Sequence, residues 1–149
     1  MKKPHIRSGR KYNRGRYWIQ QRDAAFARAG DKCEVSGEPL SFVEHLCRMP
    51  SCHLKDHLKV VYRRAVDHLF PERWIRKFVV GADPHVLENL VVLSSRAHAQ
   101  KTAIEWRIFR GDLVGYKQEL NRLGFDLALL DKAMKALCES VKGPKHETK

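Results

Sequence analysis

A chain of 149 residues, 43% of them apolar, is long enough for one domain with a buried core and too apolar for wholesale disorder. Its 29 Lys and Arg against 17 Asp and Glu leave a net charge of +12, which favours polyanionic partners, nucleic acid above all. No run approaches the ~20 apolar residues of a membrane span and no apolar leader core opens the chain, so a soluble cytoplasmic protein without a membrane partner is expected. Cys33, Cys47, Cys52 and Cys138 have no disulfide-like spacing, and a reducing compartment makes them thiols or metal ligands.

Residues 1–16 carry Lys2, Lys3, Arg7, Arg10, Lys11, Arg14 and Arg16 and no acid, and Pro4, Gly9, Asn13 and Gly15 interrupt any helix. This reads as a flexible basic arm that contacts phosphates and supplies salt-sensitive affinity blind to sequence. From Tyr17 to Ala29, apolar residues including Trp18, Ala25 and Phe26 recur at helical spacing until Gly30, and packing into a core is the simplest role for that face. A Cys33-Glu34-Val35-Ser36-Gly37 turn follows. Leu54, Leu58, Val61, Tyr62 and Ala65 predict a short helix leading into a strand over Ala65–Leu69. Pro71 starts a second short helix, and Gly81-Ala82-Asp83-Pro84 turns the chain. Leu90–Leu93 reads as a strand, with Ser94 or Ser95 capping a helix that carries His98 and runs through Ile108 to Gly111. Asp112 and Asp126 cap two further helices, the second with a core stripe of Leu127, Leu130, Ala133, Met134, Leu137 and Val141.

The middle of the chain holds the chemistry. Asp67-His68 sits in a short apolar run, Asn89 opens a second run, and His98 follows Asn89 by nine residues on a helix. This order and spacing resembles the HNH endonucleases, whose ββα-metal motif carries a one-metal nuclease site. The resemblance implies an α+β, mostly helical fold: the arm over 1–16, a nuclease core over 17–110 with the ββα motif at about 65–109, a helical extension over 111–142 and a polar tail over 143–149.

By the same resemblance Asp67 and His98 hold the divalent cation, His68 is the general base and Asn89 fixes the loop and orients that base. A His with an unperturbed pKa near ~6.5 suits proton abstraction at neutral pH. Neighbours on a flat strand point to opposite faces, so a bent strand end is needed for Asp67 and His68 to serve one cleft. Lys101, three residues beyond His98, stands on the same helix side as a phosphate contact or a solvated lysine. The implied activity is metal-dependent hydrolysis of DNA, RNA not excluded, by a monomer or homodimer in a bacterial or phage-infected cell. Mg²⁺ or Mn²⁺ is the expected cofactor, and an Asp/His site also accepts Ni²⁺ or Zn²⁺. A non-catalytic nucleic-acid-binding module on the same scaffold is the alternative.

Two departures stay open at this point. Zinc-bearing relatives pair two Cys-x-x-Cys knuckles, whereas this chain has Ser36, Ser94 and Ala97 at three of the four thiolate positions. Cys47, Cys52, His53 and His57 cluster in sequence, and with Cys33 they offer a rearranged structural zinc set of Cys33, Cys47, Cys52 and His53. Glu44-His45 is a competing metal-and-base pair, which would make residues 47–88 a long insertion. Asp67-His68 is preferred because its 21-residue gap to Asn89 is nearer the usual loop length.

Overall fold

The computed structural model describes residues 15–48, 52–54 and 57–141, so most of the basic arm (Lys2 to Arg14) and the tail over 143–149 lie outside the described residues. Arg16 falls in the first turn of helix α1 (Gly15–Ala29), which ends at Gly30, a glycine with φ of 64°. The fold is α+β. Strand β1 (Ser41–His45) pairs antiparallel with β2 (Leu58–Tyr62), and β3 (Arg64–His68) pairs antiparallel with β4 (Leu90–Ser94). Helix α2 (Glu72–Phe78) and a 3₁₀ turn (Leu87–Asn89) lie between β3 and β4. Helices α3 (Ser95–Ile104), α4 (Trp106–Phe109), α5 (Leu113–Arg122) and α6 (Leu127–Ser140) complete the chain.

The helix expected over 54–65 is not formed. Leu58-Lys59-Val60-Val61-Tyr62 is rich in β-branched and aromatic residues, and β1 offers it a ladder with Ser41 opposite Tyr62 and His45 opposite Leu58. Strand propensity and an available partner outweigh the helical spacing. The helix expected to run unbroken through Ile108 divides at Glu105, whose amide bonds back three residues to Thr102.

Every residue of β4 is buried, because α1 and α3 both pack against it, and this explains the unalternating run Leu90-Val91-Val92-Leu93. Ser94 then caps α3, accepting a hydrogen bond from the Ala97 amide at 3.2 Å. Asp112 and Asp126 cap α5 and α6 as expected, through the amides of Gly115 and Ala128. A Cβ at position 115 would stand 2.1 Å from Asp112 Oδ2, so a larger residue there would displace the capping carboxylate.

Residues 111–141 are integral to one core. Tyr116, Leu120, Leu130, Ala133 and Leu137 belong to the same apolar cluster as Leu69, Phe70, Ile75 and the β4 residues. The Tyr116 hydroxyl donates to the Leu69 carbonyl at 2.6 Å, tying α5 to the end of β3, and burial there pushes its pKa well above 10.

Candidate functional site

The pairing of β3 with β4 and the turn into α3 bring Asp67 and His98 together. Asp67 Oδ1 accepts a hydrogen bond from the His68 amide at 2.7 Å, which fixes the carboxylate on its own strand. Its other oxygen, Oδ2, points at α3, 3.7 Å from His98 Nε2 and 3.2 Å from Lys101 Nζ. Neither contact has hydrogen-bond geometry. Among the described residues Asp67 Oδ2 is the only buried side-chain polar atom without a hydrogen bond. An orphaned carboxylate oxygen beside an imidazole nitrogen is a donor set for a divalent cation.

Lys101 is not the surface phosphate contact that its spacing suggested. It is fully buried, and its ammonium sits between Asp67 and Glu105, 2.5 Å from Glu105 Oε1. The correction has a simple cause: α3 turns this face onto β3, so a long cationic side chain finds carboxylates before it finds water.

Asn89 acts through backbone. It is fully buried, its Oδ1 accepts from the Phe70 amide at 2.9 Å, and its Nδ2 donates to the carbonyls of Phe70 and Pro84 at 3.2 and 2.9 Å. One side chain thus stitches the turn after β3 to the loop before β4, and the Leu69 amide adds a bond to the Asn89 carbonyl.

His68 turns to the other face of β3, as strand alternation requires. Its Nε2 lies 3.0 Å from His85 Nδ1, and its ring stacks on Trp18 with centroids 5.7 Å apart. His85 in turn lies 3.9 Å from the Glu72 carboxylate. Burial, and after it the neighbouring His85, lowers the His68 pKa to about 4, so the ring is neutral at physiological pH. Asp67 and Lys101 also act on His68 electrostatically, in opposite senses, so the two faces of the strand end are coupled. His68, Glu72 and His85 have donor atoms close enough together to hold a metal ion.

Trp18, Glu72 and His85 were not singled out for this site from the sequence. Trp18 packs against the core as its helical spacing predicts and also stacks on His68, Glu72 stands in the first turn of a Pro-started helix, and His85 follows the Asp83-Pro84 turn. Helix α1 grips that turn: Tyr17 donates to Asp83 Oδ2 at 2.5 Å, and Gln21 donates to the His85 carbonyl at 3.1 Å. Burial and the Asp83 contact push the Tyr17 pKa up to about 12.

The strand pair that carries Glu44 and His45 is separate from β3–β4. Glu44 is exposed and faces Lys59 across the ladder, while Asp67 is the carboxylate beside His98. Cys33 is also apart from the other cysteines. It is buried in the turn after α1, where burial acts to raise its pKa but hydrogen bonds, foremost from Ser36, outweigh it and leave it lowered. Its neighbour Glu34 accepts from the Val92 amide at 2.7 Å and pairs with Arg28, docking this turn on β4. The expected set of Cys33, Cys47, Cys52 and His53 is therefore not assembled. The donors brought together are Cys47, Cys52 and His57.

A groove of about 370 Å³ opens between α2 and α4, lined by Arg73, Trp74, Lys77, Phe78, Trp106, Phe109 and Arg110. The guanidinium groups of Arg107 and Arg110 lie 4.8 and 5.4 Å from the half-exposed Trp106 ring. The Arg73 guanidinium stands 5.9 Å from Phe109, and the Lys77 ammonium 5.2 Å from Phe78. No helix among the described residues is long and apolar enough to cross a membrane. Comparison of the chain with protein-family models, with curated proteins and with solved structures finds no match in any of the three.

Proposed function

We propose that this chain is a metal-dependent HNH-type endonuclease that hydrolyses phosphodiester bonds in DNA, with β3, β4 and α3 as its ββα-metal motif. The observation that carries the reading is the buried, hydrogen-bond-free Oδ2 of Asp67 facing His98 Nε2 at 3.7 Å, beside a strand-end histidine. Asp67 and His98 are the residues that would hold the ion. A divalent cation bound by them supplies Lewis-acid neutralisation of the phosphate and stabilises the departing 3′-oxygen.

The chain's own groups do the rest. His68 is neutral at physiological pH, but its ring lies on the face of β3 opposite Asp67 and His98, so it would serve as the base only where a bend at the strand end brings the ring nitrogen that His85 does not occupy into their cleft. The Trp18 stack and the His85 bond hold the imidazole in one orientation. Asn89 holds the backbone that follows His68, which makes it a positioning residue. Lys101 offsets part of the carboxylate charge and keeps Asp67 Oδ2 turned towards α3. DNA phosphates are met by the basic arm and by the cations of the α2–α4 groove, whose two walls begin next to Glu72 and Glu105 of the site.

The buried ammonium of Lys101 favours one second reading. Asp67 already has a cation at 3.2 Å, as it would in a non-catalytic DNA-binding relative that keeps the scaffold. Cleavage of supercoiled plasmid with Mg²⁺ or Mn²⁺ decides between them, with His68→Ala, His45→Ala and chelator controls. Metal-dependent nicking that His68→Ala abolishes and His45→Ala preserves supports the nuclease. Salt-sensitive DNA binding without cleavage by any form supports the binding module.

A further inference from the structure

The β1–β2 hairpin lies between Leu40 and strand β3. Among residues whose burial is described, the apolar core passes from Leu40 to Leu69 and includes nothing from the hairpin. Two strands of five residues are marginal alone in water. At the far end, the Leu46 amide donates to the His57 carbonyl at 2.7 Å, extending the ladder one step beyond the His45–Leu58 pair. That step sets Cys47 beside His57 across the hairpin. Cys52, midway along the connection, folds back so that its Sγ lies 3.2 Å from His57 Nδ1.

Donor atoms of Cys47, Cys52 and His57 all lie within 4.8 Å of one another. The pattern of exposure agrees with an inward-facing set. These three residues are half-buried, while Leu46, Arg48, His53 and Leu54 around them are exposed. Among the described residues of this connection, two large leucines are exposed while two thiols and an imidazole are half-buried. Two thiols and an imidazole are soft and borderline donors, the chemistry of zinc and not of Mg²⁺ or Ca²⁺.

From this we infer that Cys47, Cys52 and His57 form a structural zinc site that closes the β1–β2 hairpin. The site is independent of Asp67 and His98 and differs from the paired Cys-x-x-Cys knuckles of zinc-bearing HNH proteins. Cys47 and Cys52 bind as thiolates, releasing their protons on binding, and His57 binds as neutral imidazole. The fourth position falls to water or to His53, the next donor along the chain. The ion ties residues that are five and ten apart and so closes the open end of the hairpin.

The test uses the full-length Asp67→Asn/His98→Ala/His85→Ala protein, so that no metal is counted at the other donor sets, and it requires no cleavage. Purified under reducing conditions, it should retain one zinc per chain after dialysis. Replacement by Co²⁺ should give thiolate-to-cobalt charge transfer and the intense visible bands of a tetrahedral ion. Cys52→Ser and His57→Ala should each lower zinc affinity by at least a hundredfold, while Cys33→Ser and Cys138→Ser leave it unchanged. Should the first pair fail to fold, release of zinc on mercurial titration of the unsubstituted thiols, at two thiols per ion, gives the same answer. Zinc-free protein after reconstitution, a Cys47–Cys52 disulfide in freshly reduced lysate, or affinity unchanged in Cys52→Ser each overturns the proposal. Any of these results leaves the nuclease reading untouched.

Discussion

The ammonium of Lys101 lies 3.2 Å from Asp67 Oδ2 and 2.5 Å from Glu105 Oε1, with no part of the lysine side chain exposed to solvent. One buried cation serves two carboxylates that are themselves largely shielded. Removing it leaves uncompensated negative charge in a region of low dielectric, a loss of about 3 kcal/mol. Lys101→Met keeps most of the volume and should lower thermal stability in chelator. If Asp67 also binds a divalent cation, the same substitution removes a competing positive charge. Mn²⁺ should then raise the melting temperature of Lys101→Met more than that of the parent protein, by linkage. Equal shifts in scanning fluorimetry would sink the idea that the two cations share Asp67.

Asn89 satisfies one amide and two carbonyls inside the protein. Truncation to Ala abandons all three, and each buried group left unpaired costs about 1–3 kcal/mol before any water enters. Asn89→Ala should therefore lower the urea midpoint steeply, and Asn89→Asp should be nearly as damaging because it deletes the two donated bonds. A substitution that spared stability while abolishing cleavage would mean that Asn89 touches substrate and is not a positioning residue.

Local signals in the sequence account for what was readable from it. The strand at Asp67-His68, the buried strand after Asn89, and the three caps at Ser94, Asp112 and Asp126 follow from apolar runs bounded by capping residues. The approach of Asp67 to His98 was expected only through family resemblance, since spacing on a helix does not reveal which strand the helix covers. Pairing was the step that sequence periodicity could not supply. Residues 58–62 satisfy a helical spacing as well as a strand, and only the presence of β1 opposite them decides. The same limit hid His85 and Trp18, which meet His68 through loop closure across 17 and 50 residues of chain. It also hid the burial of Lys101, since i+3 spacing places a lysine on the His98 side of a helix without saying that β3 covers that side. His57 was visible as a donor, but the choice between it and His53 depends on the hairpin register.

Protonation of His68 gives the fold a measurable acid limit. In the unfolded chain an imidazole titrates near ~6.5, whereas burial lowers this one to about 4 in the native protein. Between those values the unfolded chain binds a proton that the native state refuses. Stability is therefore full above the unfolded value, falls as pH drops from about 6.5 to 4, and levels off below, with a total loss of about 3 kcal/mol. Denaturant midpoints of metal-free protein across that range should show the slope, and His68→Gln should flatten it. A slope that survives His68→Gln would assign the acid sensitivity to another group.

The α2–α4 groove presents aromatic faces with cations already stacked on them, Trp106 between Arg107 and Arg110 and Phe109 under Arg73. Half the surface of Trp106 is exposed, so its removal should not disturb the core. A nucleic-acid base stacked on such a ring is worth about 1–3 kcal/mol, which is roughly a fivefold to hundredfold change in affinity. Trp106→Ala should weaken binding of single-stranded or nicked DNA within that range and leave the salt dependence nearly intact. Arg110→Ala should instead reduce the slope of log affinity against log salt by about one, the signature of a lost phosphate contact. Fluorescence anisotropy at several salt concentrations separates the two effects. Unchanged affinity in both variants would exclude the groove from the DNA-binding surface and leave the basic arm as the main source of affinity.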